Sequence, residues 1–86
     1  EGMNVKVLVQ RRVAQQLVVP KEALVLRTNK KVMFTVRDGK AMWNYVSTGL
    51  ENSTSYVITE GLKEGDVLVV DGSVHLAHES PVVIIK

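Results

Sequence analysis

The chain has 86 residues, of which eleven are basic and nine acidic, and its formal net charge at pH 7 is +2. This length supports one small domain with a thin core, and the interleaved charges give no indication of a polyanion partner. Because the chain contains no cysteine, disulfides, cysteine-ligated metal sites and thiol catalysis are excluded.

The first predicted element is a strand near the amino terminus. Valines at positions 5, 7 and 9 alternate with lysine, leucine and glutamine, which is the two-residue period of a half-buried strand. The sequence starts at Glu1 inside this pattern and without an initiator methionine. No transmembrane helix or signal peptide can be recognised in it. We therefore expect a fragment of a longer protein.

Short elements follow up to residue 30. Residues 17–19 predict a strand that ends at Pro20, because proline lacks a backbone N–H and disfavours helical geometry in the residue before it. A single helical turn is expected at residues 21–23. Extended structure then resumes at residues 25–26 and ends in a polar turn at residues 28–30.

The strongest local prediction is a hairpin with the two-residue turn Asp38-Gly39, since this pair tolerates the positive φ angles of a type I′ turn. Pairing Arg37 with Lys40 then sets the register, with Phe34 opposite Trp43. One face carries Val32, Phe34, Val36, Ala41, Trp43 and Tyr45, and the other carries Met33, Thr35, Met42 and Asn44. We interpret the aromatic row as core rather than as a stacking platform. Met33 and Met42 are expected to pack under a segment missing from the chain or to meet a partner.

After the hairpin, the inward position is expected to pass from Tyr45 to Val46 through a bulge. The sequon at Asn52 is interpreted as a chance match. Residues 61–66, Gly-Leu-Lys-Glu-Gly-Asp, predict a tight turn because glycine accepts positive φ and aspartate bonds to nearby backbone N–H groups. The run at residues 67–70 then predicts a strand buried on both faces.

The two histidines, His75 and His78, lie three residues apart in a polar segment. We expect them to face solvent and not to bind metal, because a metal site requires further ligands. Ser73 or Asp71 is expected to cap a short turn that leads to Leu76. The side chain of Leu76 is expected to close the end of the domain.

No nucleophile elbow, phosphate-binding glycine loop or paired-carboxylate motif is present, so neither catalytic residues nor a cofactor are predicted. The basic residues Lys30, Lys31, Arg37 and Lys40 fall at the turns on the two sides of the hairpin strand. They form either a solvated face or a docking edge for an acidic partner.

Several of these segments occur in an order that resembles a known family. Val46, Gly49-Leu50, the strand at 56–58 and the Gly-Leu-Lys-Glu-Gly-Asp turn are similar to the carboxyl-terminal part of periplasmic adaptors, the RND-type or HlyD-like membrane fusion proteins of bacterial tripartite efflux pumps. The resemblance extends to Val-Pro-Lys-Glu-Ala-Leu at 19–24, to Gly-Met at 2–3, and to Gly72 and Pro-Val-Val at 81–83. Glu1 stands where the family usually has proline.

The resemblance implies an all-β fold, a small antiparallel β-roll or barrel-like domain. Residues 1–14 would be the last strand of a preceding β-barrel domain with its linker, and residues 15–86 would be the membrane-proximal domain. In the family, strands from the protein's amino-terminal end complete this domain, so an open sheet edge is expected here.

The resemblance also implies a function. The chain would be a non-enzymatic coupling part of a multidrug or metal efflux transporter, docked on the inner-membrane transporter. The rest of the parent protein would reach the outer-membrane channel, assemble as a trimer or hexamer and hold the domain at the inner membrane in the periplasm. Nucleic acid is not an expected partner.

A different class of function also fits a small β domain. A free-standing small β-barrel could bind nucleic acid or a short peptide, for which it would require an exposed groove lined by aromatic and basic residues.

Overall fold

The computed structural model of the chain describes residues 2–85. Glu1, the first residue of the predicted segment 1–14, and Lys86, the last residue of the predicted segment 15–86, lie outside the described residues. Within this range the chain forms strands and two short 3-10 helices, Lys21–Ala23 and Ser73–His75, which confirms the all-β prediction. The strands are β1 (Met3–Val9), β2 (Arg12–Val13), β3 (Gln16–Pro20), β4 (Val25–Arg27), β5 (Lys30–Arg37), β6 (Lys40–Tyr45), β7 (Ser47–Glu51), β8 (Ser55–Glu60), β9 (Val67–Asp71) and β10 (Val82–Ile84).

The strands form two sheets. The larger sheet has the order β10-β1-β9-β5-β4, and β6 also pairs with β5. The smaller sheet has the order β2-β3-β8-β7. All pairs are antiparallel except the parallel pair of β1 with β10. The two sheets stay separate and do not close into a barrel within the part of the chain that the structure describes.

The centre of the larger sheet is buried on both faces. Met33 of β5 and Leu68 of β9 pack against the smaller sheet, whereas the adjacent residues Phe34 and Val69 pack on the opposite side. The expectation that Met33 needs a missing segment or a partner was therefore wrong, because the chain's own second sheet covers it completely. The strand after the Gly-Leu-Lys-Glu-Gly-Asp turn is buried on both faces, as predicted.

The hairpin of β5 and β6 has the predicted register. Arg37 pairs with Lys40 and Phe34 with Trp43, and the turn residues Asp38 and Gly39 have φ angles of 53° and 75°. The Phe34 and Trp43 rings meet edge to face at 5.8 Å. The row is core only in part, because Phe34 is fully buried while Tyr45 remains 59% exposed.

Val46 marks the corner at which the chain leaves the larger sheet for the smaller one. It is buried although Tyr45 is exposed, so the predicted change of inward position is confirmed. The Val46 N–H donates to the Lys31 carbonyl at 3.1 Å, and the pairing with β8 becomes irregular only after Ser47. The expected bulge corresponds to this nearby register shift between Ser47 and Thr48, while the change of sheet at Val46 alters which side faces the core.

The loop at residues 61–66 has the predicted turn chemistry. The Lys63 N–H donates to Asp66 Oδ2 at 2.8 Å, and Gly61 and Gly65 have φ angles of 106° and 93°. The Gly65 N–H also donates to the Gln10 carbonyl at 2.7 Å. This hydrogen bond ties the backbone of Gln10 to the loop. The alternation predicted for the first strand fails at its end, because Gln10 is buried and Val9 is exposed.

The segment after β9 closes one end of the domain. Leu76 is buried in the core around Phe34, as predicted. The predicted cap was wrong, because Gly72 with φ 93° precedes the 3-10 helix and no side chain caps it. A Cβ at Gly72 would lie 3.0 Å from the Asn4 carbonyl oxygen, so a larger residue would have to displace β1 slightly as well as adopt a positive φ. The close approach of Gly72 to β1 therefore favours glycine at this position.

Two side chains anchor the smaller sheet. Asn52 Oδ1 accepts the N–H groups of Thr54 and Ser55 at 2.9 and 2.8 Å, which gives the sequon asparagine a structural role in the turn. Lys21 Nζ lies 2.7 Å from Glu51 Oε2. This hydrogen bond raises the pKa of Lys21, so the small stabilisation that corresponds to the shift is present at neutral pH and is lost as the pH rises through the alkaline range.

The hairpin of β2 and β3 was not predicted from the sequence. Ala14 and Gln15 join β2 to β3 with φ angles of 52° and 66°. Neither residue type favours positive φ, whereas Asn-Gly or Asp-Gly would have signalled the turn. The pairing of β2 with β3 therefore depends on the surrounding sheet.

We expect the substitution Gln15→Gly to stabilise the protein by about 0.5–1 kcal/mol, because glycine accepts this φ without steric cost. Urea unfolding followed by tryptophan fluorescence measures the change. The control Gln16→Gly, in the extended strand β3, should instead destabilise. A destabilised Gln15→Gly variant would contradict the strained turn.

Candidate functional site

The structure places the four predicted docking residues in two pairs. Lys30 and Lys31 begin β5, whereas Arg37 ends it and faces Lys40 across the turn. All four side chains are exposed. At about 3.3 Å per residue along a strand, the two pairs lie about 20 Å apart. They consequently belong to two different surfaces and cannot engage one small epitope together.

The first surface is an open groove of about 750 Å³, which we call the lysine groove. It forms where the chain crosses from the larger to the smaller sheet, so that the β4–β5 turn faces the start of β7. Its lining residues are Asn29, Lys30, Lys31, Tyr45, Val46, Ser47 and Thr48.

Within the described residues, neither lysine of this groove forms an ion pair. Lys30 Nζ lies 5.9 Å from the centre of the Tyr45 ring, and Lys31 Nζ donates to Thr48 Oγ1 at 2.9 Å. Within residues 2–85 the ion pairs are Arg12 with Glu64 and Lys21 with Glu51. The lysine groove is therefore a positively charged concave surface with an aromatic wall.

Arg37 lines a second, smaller groove of about 370 Å³, here called the loop groove. It lies between the β5–β6 hairpin and the glycine-bearing loop, and Met42 forms part of its wall. Asn44 Nδ2 lies there with three acceptors, including Thr35 Oγ1 at 3.0 Å. The loop groove also contains Asp66, so its charge is mixed. Its lining residues are Thr35, Val36, Arg37, Met42, Trp43, Asn44, Gly61, Lys63, Gly65, Asp66 and Val67.

Arg27 is a cation that the sequence analysis did not assign to the aromatic row. Its guanidinium lies 5.8 Å from the Trp43 ring and donates to the Leu76 carbonyl at 3.1 Å. A signal was available, since a two-residue turn at Thr28-Asn29 pairs Arg27 with Lys30 and brings both to the aromatic end of the hairpin. In the aromatic row of the hairpin, the two rings that remain accessible, Trp43 and Tyr45, thus each have a cation over them, and neither forms an open platform for bases.

The two histidines have different surroundings. Both histidines are exposed, as predicted. His78 Nδ1 accepts the backbone N–H of Trp43 at 3.0 Å and so covers part of the β6 edge. Over the described range, no group of three or more histidine, cysteine or acidic residues is arranged to hold a metal ion. The same residues include no helix with the length and apolar character that crossing a membrane requires.

Comparisons with known proteins identify similar sequences. Residues 16–84 match the model of the family described as YknX, C-terminal permuted SH3-like domain. The membrane fusion protein MtrC of Neisseria gonorrhoeae is 31% identical over 72 residues, which is 83% of this chain and 18% of that protein. The multidrug resistance protein MdtA of Cronobacter turicensis is 34% identical over 71 residues, or 81% of this chain and 17% of that protein. The chain thus spans less than a fifth of the length of these relatives.

Proposed function

The chain belongs to the family of YknX carboxyl-terminal permuted SH3-like domains, the terminal domain of membrane fusion proteins, and we propose that it couples such a protein to an efflux transporter. The coupling is mechanical and involves no chemistry on the exported substrate, which is a drug or a metal ion. The family match over residues 16–84 carries the proposal.

The proposed partner of the domain is the inner-membrane transporter, bound through Lys30, Lys31, Arg37 and Lys40. The unneutralised charges of the lysine groove support this role, because exposed charges steer association while contributing little to stability. The remainder of the parent protein would reach the outer-membrane channel, form a trimer or hexamer and hold the domain at the inner membrane in the periplasm.

We also propose a boundary near residue 15, between the end of a preceding β-barrel domain and the membrane-proximal domain. The start of the family match at residue 16 supports it. The strand β1 nevertheless pairs with β9 and β10, and Val5 is buried in the core around Phe34. The proposed barrel strand therefore also contributes to the packing of the terminal domain.

Charge reversal tests the docking proposal in a full-length membrane fusion protein that carries this chain. We expect Lys30→Glu with Lys31→Glu to reduce crosslinking to the inner-membrane transporter about tenfold, since the introduced negative charges repel an acidic partner surface. Reversal of Arg37 and Lys40 should have a smaller effect, because the loop groove has mixed charge, with Asp66 lining it beside two cations, and because Lys40 does not line it. Drug or metal sensitivity with normal protein abundance is the expected phenotype.

The matched control is the pair Lys6→Glu and Arg11→Glu, two exposed basic residues away from both grooves. The control should retain crosslinking and efflux. Wild-type crosslinking in both groove variants would show that the transporter docks elsewhere. Binding of the isolated domain to single-stranded nucleic acid with a steep dependence on salt would instead support the alternative function.

A further inference from the structure

The two lysines of the lysine groove point to opposite sides of β5, because adjacent residues on a strand project to opposite faces. Lys30 lies on the side of Tyr45, whereas Lys31 reaches Thr48 at the start of β7. In these positions the two ammonium groups lie against different partners, the Tyr45 ring and Thr48 Oγ1. A ligand that uses both charges must therefore pass across the end of the strand and present at least two separated anionic groups.

We propose that the lysine groove binds an extended acidic peptide segment of a partner protein, with one carboxylate at Lys30 and a second at Lys31. The proposal deepens the proposed function and rests on it for the statement that this partner is the transporter. The chemistry of the ligand follows from the groove itself.

Charge complementarity is the first support for an acidic ligand. Glu60 is an acidic residue of the chain that contacts the groove lining, but its contact is with Ser47, whose Oγ lies 3.4 Å from Glu60 Oε1. It forms no ion pair with Lys30 or Lys31 within the described residues. An incoming carboxylate therefore gains charge-assisted hydrogen bonds that the chain itself does not supply.

The apolar surroundings favour a polypeptide ligand. Tyr45 is 59% exposed at the groove wall, and tyrosine is enriched at the energetic centres of protein interfaces. Leu26 lies directly opposite Lys31 on β4, shares its face of the sheet and is 66% exposed. A segment that alternates acidic and apolar residues would place carboxylates at the lysines and an apolar side chain on Leu26 or Tyr45.

Two other anionic ligands fit the groove less well. Nucleic acid binding draws its affinity from many phosphate contacts, whereas this groove offers two lysines and an aromatic ring that already carries a cation. A membrane surface requires basic side chains that point in one direction, and Lys30 and Lys31 point to opposite faces. Both ligands are included in the test as competing outcomes.

The test follows the backbone amide signals of the isotope-labelled chain by NMR during titration with a capped peptide that alternates glutamate and leucine. We expect shifts concentrated at residues 29–31 and 45–48, and weaker binding at higher salt. The double variant Lys30→Gln, Lys31→Gln should weaken binding about tenfold, since it removes both charged contacts. The double variant Lys6→Gln, Arg11→Gln removes the same charge elsewhere and should bind like the wild type.

Three outcomes would overturn the proposal. The first is that a peptide alternating glutamine and leucine binds as tightly as the glutamate–leucine peptide. The second is that the amide shifts are centred on the loop groove. The third is that oligothymidine or phosphatidylglycerol vesicles bind at the lysine groove more tightly than the peptide does. The transporter crosslinking experiment separates this proposal from the proposed function. If the lysine variants lose peptide binding but retain crosslinking, the groove binds acidic peptides, and the proposal that the transporter docks on this groove is wrong.

Discussion

The substitution Gly61→Ala is expected to destabilise the protein by about 3 kcal/mol or more. Gly61 has a φ angle of 106°, and a Cβ built there would overlap the Tyr45 carbonyl oxygen and lie 2.9 Å from Val46 Cα. Backbone strain of about 1–3 kcal/mol is expected to add to the cost of displacing these atoms. Because Tyr45 and Val46 form one wall of the lysine groove, the variant should also weaken binding of the acidic peptide.

Gly65→Ala is the matched control for this prediction. Gly65 has a similar φ angle of 93°, but a Cβ there would meet no atom within 4 Å. It should therefore cost only the strain of the backbone conformation, about 1–2 kcal/mol, and leave the groove intact. Urea unfolding of the two variants measures the difference. An equal loss of unfolding free energy in the two variants would mean that Gly61 is not in close contact with the backbone of Tyr45 and Val46.

A comparably large effect, about 3–5 kcal/mol, is expected from Phe34→Ala. The Phe34 side chain is fully buried, and its ring meets the Trp43 ring at 5.8 Å with an interplanar angle of 84°. Alanine leaves a cavity between β5 and the segment around Leu76 and removes the edge-to-face contact. The midpoint of denaturant unfolding, with an unchanged m-value, measures this loss.

The control for the second prediction is Tyr45→Ala, which lies in the same aromatic row. Tyr45 is 59% exposed, and its ring centre lies 5.9 Å from that of Trp43, so its removal should cost less than about 1 kcal/mol. A similar cost at both positions would contradict the gradient of burial along the row. Loss of peptide binding without loss of stability in Tyr45→Ala would agree with a role at the groove wall.

Features encoded by a few neighbouring residues were predictable from the sequence. The hairpin register follows from the Asp38-Gly39 turn and the two-residue period of its strands, since both are properties of the local backbone. The turn at residues 61–66 and the burial of Leu76 follow from glycine, aspartate and an apolar residue in a polar segment. The order of these features along the chain also indicated the family.

The candidate site was predictable only as a set of residues. The sequence indicated four basic residues around the hairpin, but the length of β5 separates them into two pairs. Arg27 was missed because its contact with Trp43 reaches from β4 across β5 to β6. Tyr45, Ser47 and Thr48 became part of the groove because the chain changes sheet at Val46.

The amino-acid sequence by itself determined the turns, the strand period and the membership in an all-β family, because these depend on local dihedral preferences and on the alternation of side chains. Tertiary structure decided which faces are buried. Met33 and Phe34 are both inside because the two faces of β5 are covered by segments distant in the chain. The pairing of β2 with β3 likewise places Ala14 and Gln15 at positive φ against their local preference. Burial is a property of the assembled sheets, so no window of neighbouring residues contains it.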